Sequence, residues 1–190
     1  MENIPRVICI GGPPGAGKTT AGRLVQAQLP GSILIDPDET RLAILGRPPG
    51  SAVTAADLTP ELTARTIMAM TEKAQTALAL GQSVIVPSAF IGEPMRTAFE
   101  ALAARFSCEF HGFWLDAPGS VIAQRQQDRA AESFNNASKV VTNNPAHTVL
   151  QGALSPRWRV LDASRPAAAI AADILAALGP AKTTERKFDR

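Results

Sequence analysis

One ten-residue segment constrains the fold of this chain more than any other feature. The segment GGPPGAGKTT at 11–20 contains the pattern G-x-x-x-x-G-K-[ST] without a mismatch, from Gly12 to Thr19. An apolar run, Arg6 to Ile10, precedes it, and a helical pattern follows from about Lys18. In that context the pattern predicts a strand, a phosphate-binding loop and a helix. The glycines let backbone N–H groups point at phosphate oxygens, and the helix N-terminus adds partial positive charge.

This loop predicts that the cofactors are ATP and Mg²⁺. Lys18 is expected to bridge the β- and γ-phosphates and so to act in catalysis, while the Thr19 hydroxyl ligates Mg²⁺. The expected cofactor-binding residues of the loop are Gly12, Pro13, Pro14, Gly15, Ala16, Gly17, Lys18, Thr19 and Thr20.

The rest of the chain alternates strand and helix patterns, which is typical of a parallel sheet with helices on both faces. We therefore predict an α/β fold of the P-loop NTPase type, with a five-stranded parallel sheet sandwiched by helices and a lid segment. The predicted strands are Arg6 to Ile10, Ser32 to Ile35, Ser83 to Val86, Cys108 to Leu115 and Trp158 to Leu161.

The chain of 190 residues is expected to form a single domain over 1–180. The charged segment 181–190 is interpreted as a solvated, disordered tail. Residues 46–58 are rich in Gly, Pro, Ser and Ala and are interpreted as a substrate-side flap; a plain surface loop is the alternative. The Asn-rich stretch 131–148 is interpreted as part of a lid spanning about 125–148.

Composition and charge argue against some kinds of partner. The net charge is only +2, which argues against a nucleic-acid partner. The sequence has no apolar signal segment and no run of transmembrane length, so we expect a cytoplasmic protein with no membrane partner. Cys9 and Cys108 are expected to be buried, inert thiols, and His111 and His147 lack the neighbours of a metal site. The oligomeric state is left open.

Two carboxylates follow the second predicted strand, in the order Asp36-Pro37-Asp38. Ligands of open α/β sheets bind at the carboxyl ends of the strands, so both can face the γ-phosphate. One could serve Mg²⁺, and the other could accept the proton of an attacking hydroxyl. Arg41, one helical turn past Asp38, could bind an anionic or hydroxylated substrate. The alternative is that the aspartates cap a helix.

Arg125 and Arg129 are four residues apart and share one face of a predicted helix. Guanidinium groups there could stack on adenine or neutralise the transferring phosphate, so both are candidate catalytic residues. Solvated surface arginines are the alternative. Arg96, near the start of another helix, could approach a substrate phosphate, with a surface role as its alternative.

Together these segments resemble the small P-loop kinases of the polynucleotide-kinase, zeta-toxin and chloramphenicol-phosphotransferase kind. The resemblance is closest to the bacterial kinase domain that occurs alone or fused to aminoglycoside-phosphotransferase-like domains. The segments that carry it are GGPPGAGKTT at 11–20, LIDPDETR at 34–41, FWLDAPGSVIAQRQQDR at 113–129 and WRVLDAS at 158–164.

The resemblance implies roles for particular residues. Asp38 is expected to be the general base and Arg41 a substrate-side arginine. Arg125 and Arg129 are expected to be lid arginines. The loop after the last strand is expected to border the adenine. The expected nucleotide contacts in this loop are Asp162, Ser164 and Arg165. The expected substrate contacts are Asp36, Asp38, Arg41 and Arg96.

The sequence also departs from these relatives. They commonly end the third strand with Asp, where this chain has Val86-Pro87-Ser88. Asp36 is therefore the substitute predicted, with Thr19, for the metal site. Relatives also carry acids in the lid, where this chain reads Asn136-Ala137-Ser138-Lys139.

The expected function is ATP-dependent transfer of the γ-phosphoryl group to a hydroxyl of a small molecule. One alternative is a zeta-toxin-like kinase of a nucleotide-sugar. Another is a non-catalytic ATP-binding switch, which the missing strand-three carboxylate keeps open. The sequence does not identify the substrate.

Overall fold

The computed structural model describes the backbone of residues 2–135, 150, 152–180 and 183–184, and the side chains of residues 3–128, 150 and 152–180. The helices are α1 Lys18–Ala27, α2 Pro37–Ile44, α3 Pro60–Ala79, α4 Glu93–Arg105, α5 Gly119–Asn135 and α6 Ala167–Leu178. The strands are β1 Glu2–Asn3, β2 Arg6–Gly11, β3 Ile33–Leu34, β4 Val84–Pro87, β5 Glu109–Asp116, β6 Trp158–Asp162 and β7 Thr183–Thr184.

The main sheet has five strands in the order β3-β4-β2-β5-β6, and every pair is parallel. This confirms the predicted α/β fold of the P-loop NTPase type. Four strands end one residue later than the apolar runs suggest, at Gly11, Pro87, Asp116 and Asp162. The reason is that backbone pairing continues through these residues, although their side chains are not the apolar ones that mark a strand in the sequence.

The central strand β2 is buried on both faces. Val7, Ile8, Cys9 and Ile10 all have no exposed surface. Val7 and Cys9 pack with α3 and α4, whereas Ile8 and Ile10 pack with α1 and α6. Full burial of one such aliphatic side chain stabilises the fold by about 1.5–3 kcal/mol. The sheet is therefore a rigid base for the loops at its carboxyl edge.

The predicted disordered tail is wrong in part. Thr183 and Thr184 form β7, which pairs antiparallel with Glu2 and Asn3 of β1. Backbone hydrogen bonding to the first residues of the chain orders this short piece, and a sequence pattern of two residues cannot reveal such a partner. The predicted lid lies partly in α5, and its remainder, 136–148, lies outside the described residues.

Candidate active site

The phosphate-binding loop has the backbone that its glycines predict. Gly12, Gly15 and Gly17 have φ of 139°, 90° and 90°, backbone conformations that residues with a side chain rarely adopt. A Cβ on Gly12 would lie 2.6 Å from the Leu115 carbonyl oxygen, whereas one on Gly17 would meet nothing within 4 Å. The loop therefore packs against β5 on one side and is open beside Gly17.

Lys18 is held over this loop. Its Nζ donates hydrogen bonds of 2.8 Å to the carbonyl oxygens of Gly12 and Pro13. Gly17 is the N-cap of α1, no acidic side chain lies in the first turn of α1, and Thr19 and Thr20 follow Lys18 in that turn. This combination of an ammonium group, a helix N-terminus and an open glycine loop fits the phosphates of a nucleotide.

Asp36 is the N-cap of α2. Its Oδ1 accepts hydrogen bonds from the backbone N–H groups of Asp38 at 2.8 Å and Glu39 at 3.3 Å, and the residue is only 7% exposed. The capping alternative is therefore what the structure shows for Asp36, because these N–H groups have no partner within the helix. Its predicted contacts with Mg²⁺ and substrate stay predictions.

Asp38 and Arg41 form an ion pair on α2. Arg41 Nη1 donates to Asp38 Oδ1 at 2.7 Å, and the Arg41 side chain is 11% exposed. Among the described residues, the buried Arg41 Nε has no hydrogen-bond partner. A buried N–H without an acceptor costs about 1–3 kcal/mol, and a substrate oxygen could reach this enclosed atom only if the Arg41 side chain moved.

The pKa of Asp38 is raised above its ordinary value. Desolvation by surrounding protein atoms is the largest cause; the Arg41 charge opposes it, the Asp36 charge adds to it, and the Lys18 charge opposes it. The side chain is still 69% exposed, so this desolvation is partial. The charge of Lys18 thus acts on a carboxyl group that solvent and substrate can reach.

The loop between α2 and α3 is closed by one ion pair. Arg47 donates two hydrogen bonds of 2.8 Å to the Asp57 carboxylate, which also accepts from the Thr54 N–H and hydroxyl. These contacts hold the pKa of Asp57 well below its usual range. An ion pair therefore joins the start of the predicted flap at 46–58 to its end. The role of the flap toward a substrate stays a prediction.

A cavity of about 260 Å³ lies beside the phosphate loop. Its walls include Gly15, Gly17, Thr20, Arg125, Asp128 and Arg165. The sequence predicted all of these except Asp128. The spacing of Arg125 and Asp128 on α5, three residues apart, was the signal that could have revealed it.

Arg125 binds the loop that follows β6. Its guanidinium donates to the carbonyl oxygens of Ala163 at 2.7 Å and of Ser164 and Arg165 at 3.2 Å each. The solvated-surface alternative is therefore wrong for Arg125, because three backbone acceptors hold its head group. Its catalytic role stays a prediction. The Arg129 side chain lies outside the described residues.

The loop that Arg125 binds is also ordered from within. Asp162 Oδ1 accepts from the Ser164 N–H at 2.9 Å and from its hydroxyl at 2.6 Å, and Arg165 pairs with Asp173 of α6. The two hydrogen bonds from Ser164 lower the pKa of Asp162. Arg165 lines the cavity, whereas the contacts of Asp162 and Ser164 shape the turn.

One contact between α5 and the phosphate loop was missed by the sequence reasoning. Gln126 Nε2 donates to the Pro14 carbonyl oxygen at 3.0 Å. A Cβ on Gly15 would lie 3.3 Å from both Gln126 and Ile122. The loop is therefore closely covered by α5.

Arg96 is buried, not at the surface. It is 2% exposed, and Nη1 donates to the carbonyl oxygens of Phe90 at 2.8 Å and Ile91 at 2.7 Å. The surface alternative is therefore wrong, because the guanidinium is buried and donates hydrogen bonds to carbonyl oxygens inside the fold. The predicted contact of Arg96 with a substrate phosphate stays a prediction.

The end of β4 offers no acidic side chain. Ser88 follows Pro87, is 8% exposed, and its N–H donates to the Ile10 carbonyl oxygen at 3.1 Å. Within the part of the chain that the structure describes, no group of three or more His, Cys, Asp or Glu residues could hold a metal ion. A Mg²⁺ ion at this edge would rest on Thr19, on phosphate oxygens and on the predicted Asp36.

None of the helices in the described ranges combines the length and apolar character needed to span a bilayer.

Several solved structures with a similar architecture are kinases. The Mycobacterium tuberculosis APS kinase in complex with AMPPNP and APS superimposes with a TM-score of 0.67 at 16% identity, covering 94% of this chain and 99% of that one. A putative kinase from Chloroflexus aurantiacus gives 0.66 at 21%, covering 93% and 97%. A gluconokinase from Sinorhizobium meliloti gives 0.58 at 20%, covering 93% of each chain. Identities this low show the fold alone.

The sequence itself matches one family over most of its length. Among curated proteins, no sequence matches the chain. A family model described as an AAA domain matches residues 7–148, which include the phosphate loop, Asp38 and the whole of α5. The chain therefore belongs to this AAA-domain family, as a P-loop kinase-like domain.

Proposed function

We propose that the protein transfers the γ-phosphoryl group of ATP to a hydroxyl of a small molecule, with Asp38 as the general base. The observation that carries the proposal is that Lys18, in the first turn of α1 after β2, and the exposed Asp38, in the first turn of α2 after β3, lie at the same carboxyl edge of the parallel sheet. A phosphate-binding cation and a proton acceptor then act at one edge of the sheet. That arrangement suits in-line transfer, in which positioning and charge stabilisation supply most of the catalysis.

The donor side is supported by the loop and the adjoining cavity. Lys18 and the N-terminus of α1 can bind the β- and γ-phosphates of ATP. The cavity beside Arg125 and Arg165 can hold the adenine ring. Mg²⁺, when bound, would neutralise charge on the phosphates, with Thr19 as its protein ligand and Asp36 as the proposed second one. Solved kinases of the same fold, one of them with AMPPNP bound, support a nucleotide in this place.

The acceptor side is supported by Asp38 and Arg41. Asp38 would accept the proton of the substrate hydroxyl while the hydroxyl oxygen forms a bond to the γ-phosphorus. The bond between the γ-phosphorus and the oxygen that bridges it to the β-phosphate breaks, and ADP leaves. A raised carboxyl pKa makes a stronger base, provided that the group is still ionised. Arg41, which the ion pair holds beside Asp38, would be the contact for an anionic or hydroxylated substrate.

The test is phosphoryl transfer from γ-labelled ATP by wild type, Asp38→Asn and Glu39→Gln. Removing a general base is expected to lower kcat by about 10²-fold or more, with little change in ATP KM. Glu39 is the matched control, because it lies in the same turn and pairs only at 3.6 Å with Arg23. Full turnover by Asp38→Asn would disprove the assignment of the base.

A second candidate function is a non-catalytic ATP-binding switch. The serine at the end of β4, where related kinases commonly have a metal-binding carboxylate, favours it. A switch would bind ATP and change conformation without transferring phosphate to any acceptor. ATP-dependent transfer abolished by Lys18→Ala would exclude this alternative.

A further inference from the structure

Three polar residues of α4 face the segment that leads into β6. Glu93, Arg96 and Glu100 are spaced by three and four residues, so they share one side of the helix. Glu100 Oε1 accepts from the Ser155 hydroxyl at 2.8 Å and from Trp158 Nε1 at 3.0 Å. Arg96 Nη2 donates to the Ala153 carbonyl oxygen at 3.4 Å. The segment 152–158 is therefore fastened to α4 at two points.

Arg96 also reaches a second segment. Through Nη1 it donates to the carbonyl oxygens of Phe90 and Ile91, which lie in the loop between β4 and α4. Because the two guanidinium nitrogens lie in one rigid plane, a single buried side chain fixes the relative positions of this loop and the segment at 152–158. A lysine has one nitrogen and cannot repeat that geometry.

The loop held by Nη1 is the wall behind the phosphate-binding loop. The Gly12 N–H donates to the Ala89 carbonyl oxygen at 3.3 Å. A Cβ on Gly11 would lie 3.3 Å from Phe90 Cβ. Phe90 has φ of 49°, a strained conformation for a bulky residue, and surrounding contacts must hold it. Arg96 supplies one such contact at the Phe90 carbonyl.

We propose that Arg96 is a positioning residue that couples the phosphate loop to the segment 152–158. It acts through the backbone at 89–91 on one side and at Ala153 on the other. Trp158, at the end of that segment, also packs on Phe90 with ring centroids 5.3 Å apart, so Arg96 adds hydrogen bonds to an apolar contact between the same two segments. Nucleotide bound at Gly12 to Thr19 would then be sensed at 152–158. The proposal rests on the proposed function only in that ATP is taken as the nucleotide.

Hydrogen–deuterium exchange of the full chain without nucleotide tests the coupling directly. Arg96→Met is expected to speed exchange about tenfold or more at both 88–92 and 152–158, because charged hydrogen bonds to both segments are lost. Glu100→Leu, the control from the same face of α4, is expected to speed exchange at 152–158 rather than at 88–92, because Ser155 and Trp158 lose their acceptor. Faster exchange at one segment alone in Arg96→Met, or equally throughout the sheet, would overturn the proposal.

Arg96→Lys keeps the test decisive should Arg96→Met fail to fold. Its single nitrogen can satisfy the Phe90 and Ile91 carbonyls but not Ala153 as well. We therefore expect protection to be kept at 88–92 and lost at 152–158. Equal loss at both segments, or full protection at both, would contradict the two-sided role.

ATP supplies the functional readout. In wild type, ATP is expected to slow exchange at both segments, whereas in Arg96→Lys it should slow exchange at 88–92 alone. In steady-state kinetics the variant should raise ATP KM more than it lowers kcat. A fall in kcat with unchanged exchange would instead place Arg96 against the substrate and overturn the proposal. Should wild type transfer no phosphate, the proposed function fails, while the exchange results without nucleotide still decide the role of Arg96.

Discussion

The ion pair between Asp38 and Arg41 affects both the position and the proton affinity of the proposed base. The 2.7 Å hydrogen bond fixes one carboxylate oxygen of Asp38, while most of the group stays exposed. Desolvation raises its pKa, and the Arg41 charge opposes that rise. Arg41 therefore keeps the base ionised at a lower pH than its surroundings alone would allow.

Replacing Arg41 with Gln is expected to shift the pH dependence of kcat. The Arg41 charge stabilises the Asp38 carboxylate, so its loss raises the carboxyl pKa further. The active, deprotonated base is then lost at a higher pH as the solution is acidified, and the acidic limb moves to higher pH. The pH–rate profile measures this. Arg23→Gln, whose exposed partner is Glu39, is the control, and an unmoved limb in Arg41→Gln would contradict the coupling.

Asp36 has a structural role that can be separated from the predicted metal role. Asp36→Ala is expected to lower the free energy of unfolding by about 1 kcal/mol, because two N–H groups of α2 lose their acceptor. Asp36→Asn keeps an acceptor oxygen and should stay close to wild type in denaturant titrations. If Asp36 also serves Mg²⁺, Asp36→Asn will require more Mg²⁺ for half-maximal activity; an unchanged requirement would remove it from the metal site.

At the scale of elements, the glycine loop and α1 work as one unit. Gly17 is both a loop residue and the N-cap of α1, with φ of 90°. Its conformation directs the first N–H groups of the helix toward the open side of the loop. The same helix packs on α6 and on the sheet through Ala21 and Val25, which keeps this end in place.

Gly17→Ala is expected to abolish most ATP binding at a modest cost in stability. An alanine in the left-handed backbone conformation lowers the stability of the fold by about 1–2 kcal/mol. Gly31→Ala is the matched control, because Gly31 also has positive φ and a Cβ there also meets nothing within 4 Å. Calorimetric titration and denaturation should show similar destabilisation of both variants and loss of ATP binding only in Gly17→Ala. Equal ATP binding by the two would contradict the phosphate site.

Helix α5 is connected to the loop that borders the cavity beside the phosphate loop through Arg125. Three carbonyl oxygens of the loop 163–165 accept hydrogen bonds from this side chain. Arg125→Met is therefore expected to weaken ATP binding about tenfold, equivalent to about 1.4 kcal/mol. Arg65→Met, on an exposed position of α3, is the control for loss of an arginine. Unchanged ATP affinity in Arg125→Met would show that the loop keeps its shape without it.

For the whole molecule, the sequence predicted the sheet well because its central strands are apolar on both faces. The apolar segments at β2, β4 and β5 are too hydrophobic to lie in water, so their composition is enough to predict buried strands. The same reasoning could not place Arg96, whose carbonyl partners come from segments on two sides of the predicted lid. It also could not choose between capping and metal binding for Asp36, since both need a carboxylate at the same position.

An acceptor screen would show whether this protein transfers phosphate. ATP consumption would be measured with aminoglycosides, sugars, nucleosides, nucleotide-sugars and oligonucleotide 5′ ends, with Lys18→Ala as the blank. We expect one hydroxyl-bearing class to raise turnover well above the hydrolysis seen without acceptor, and Lys18→Ala to abolish the rise. ATP binding without stimulation by any class would favour the switch, and failure of ATP to bind at all would contradict the account.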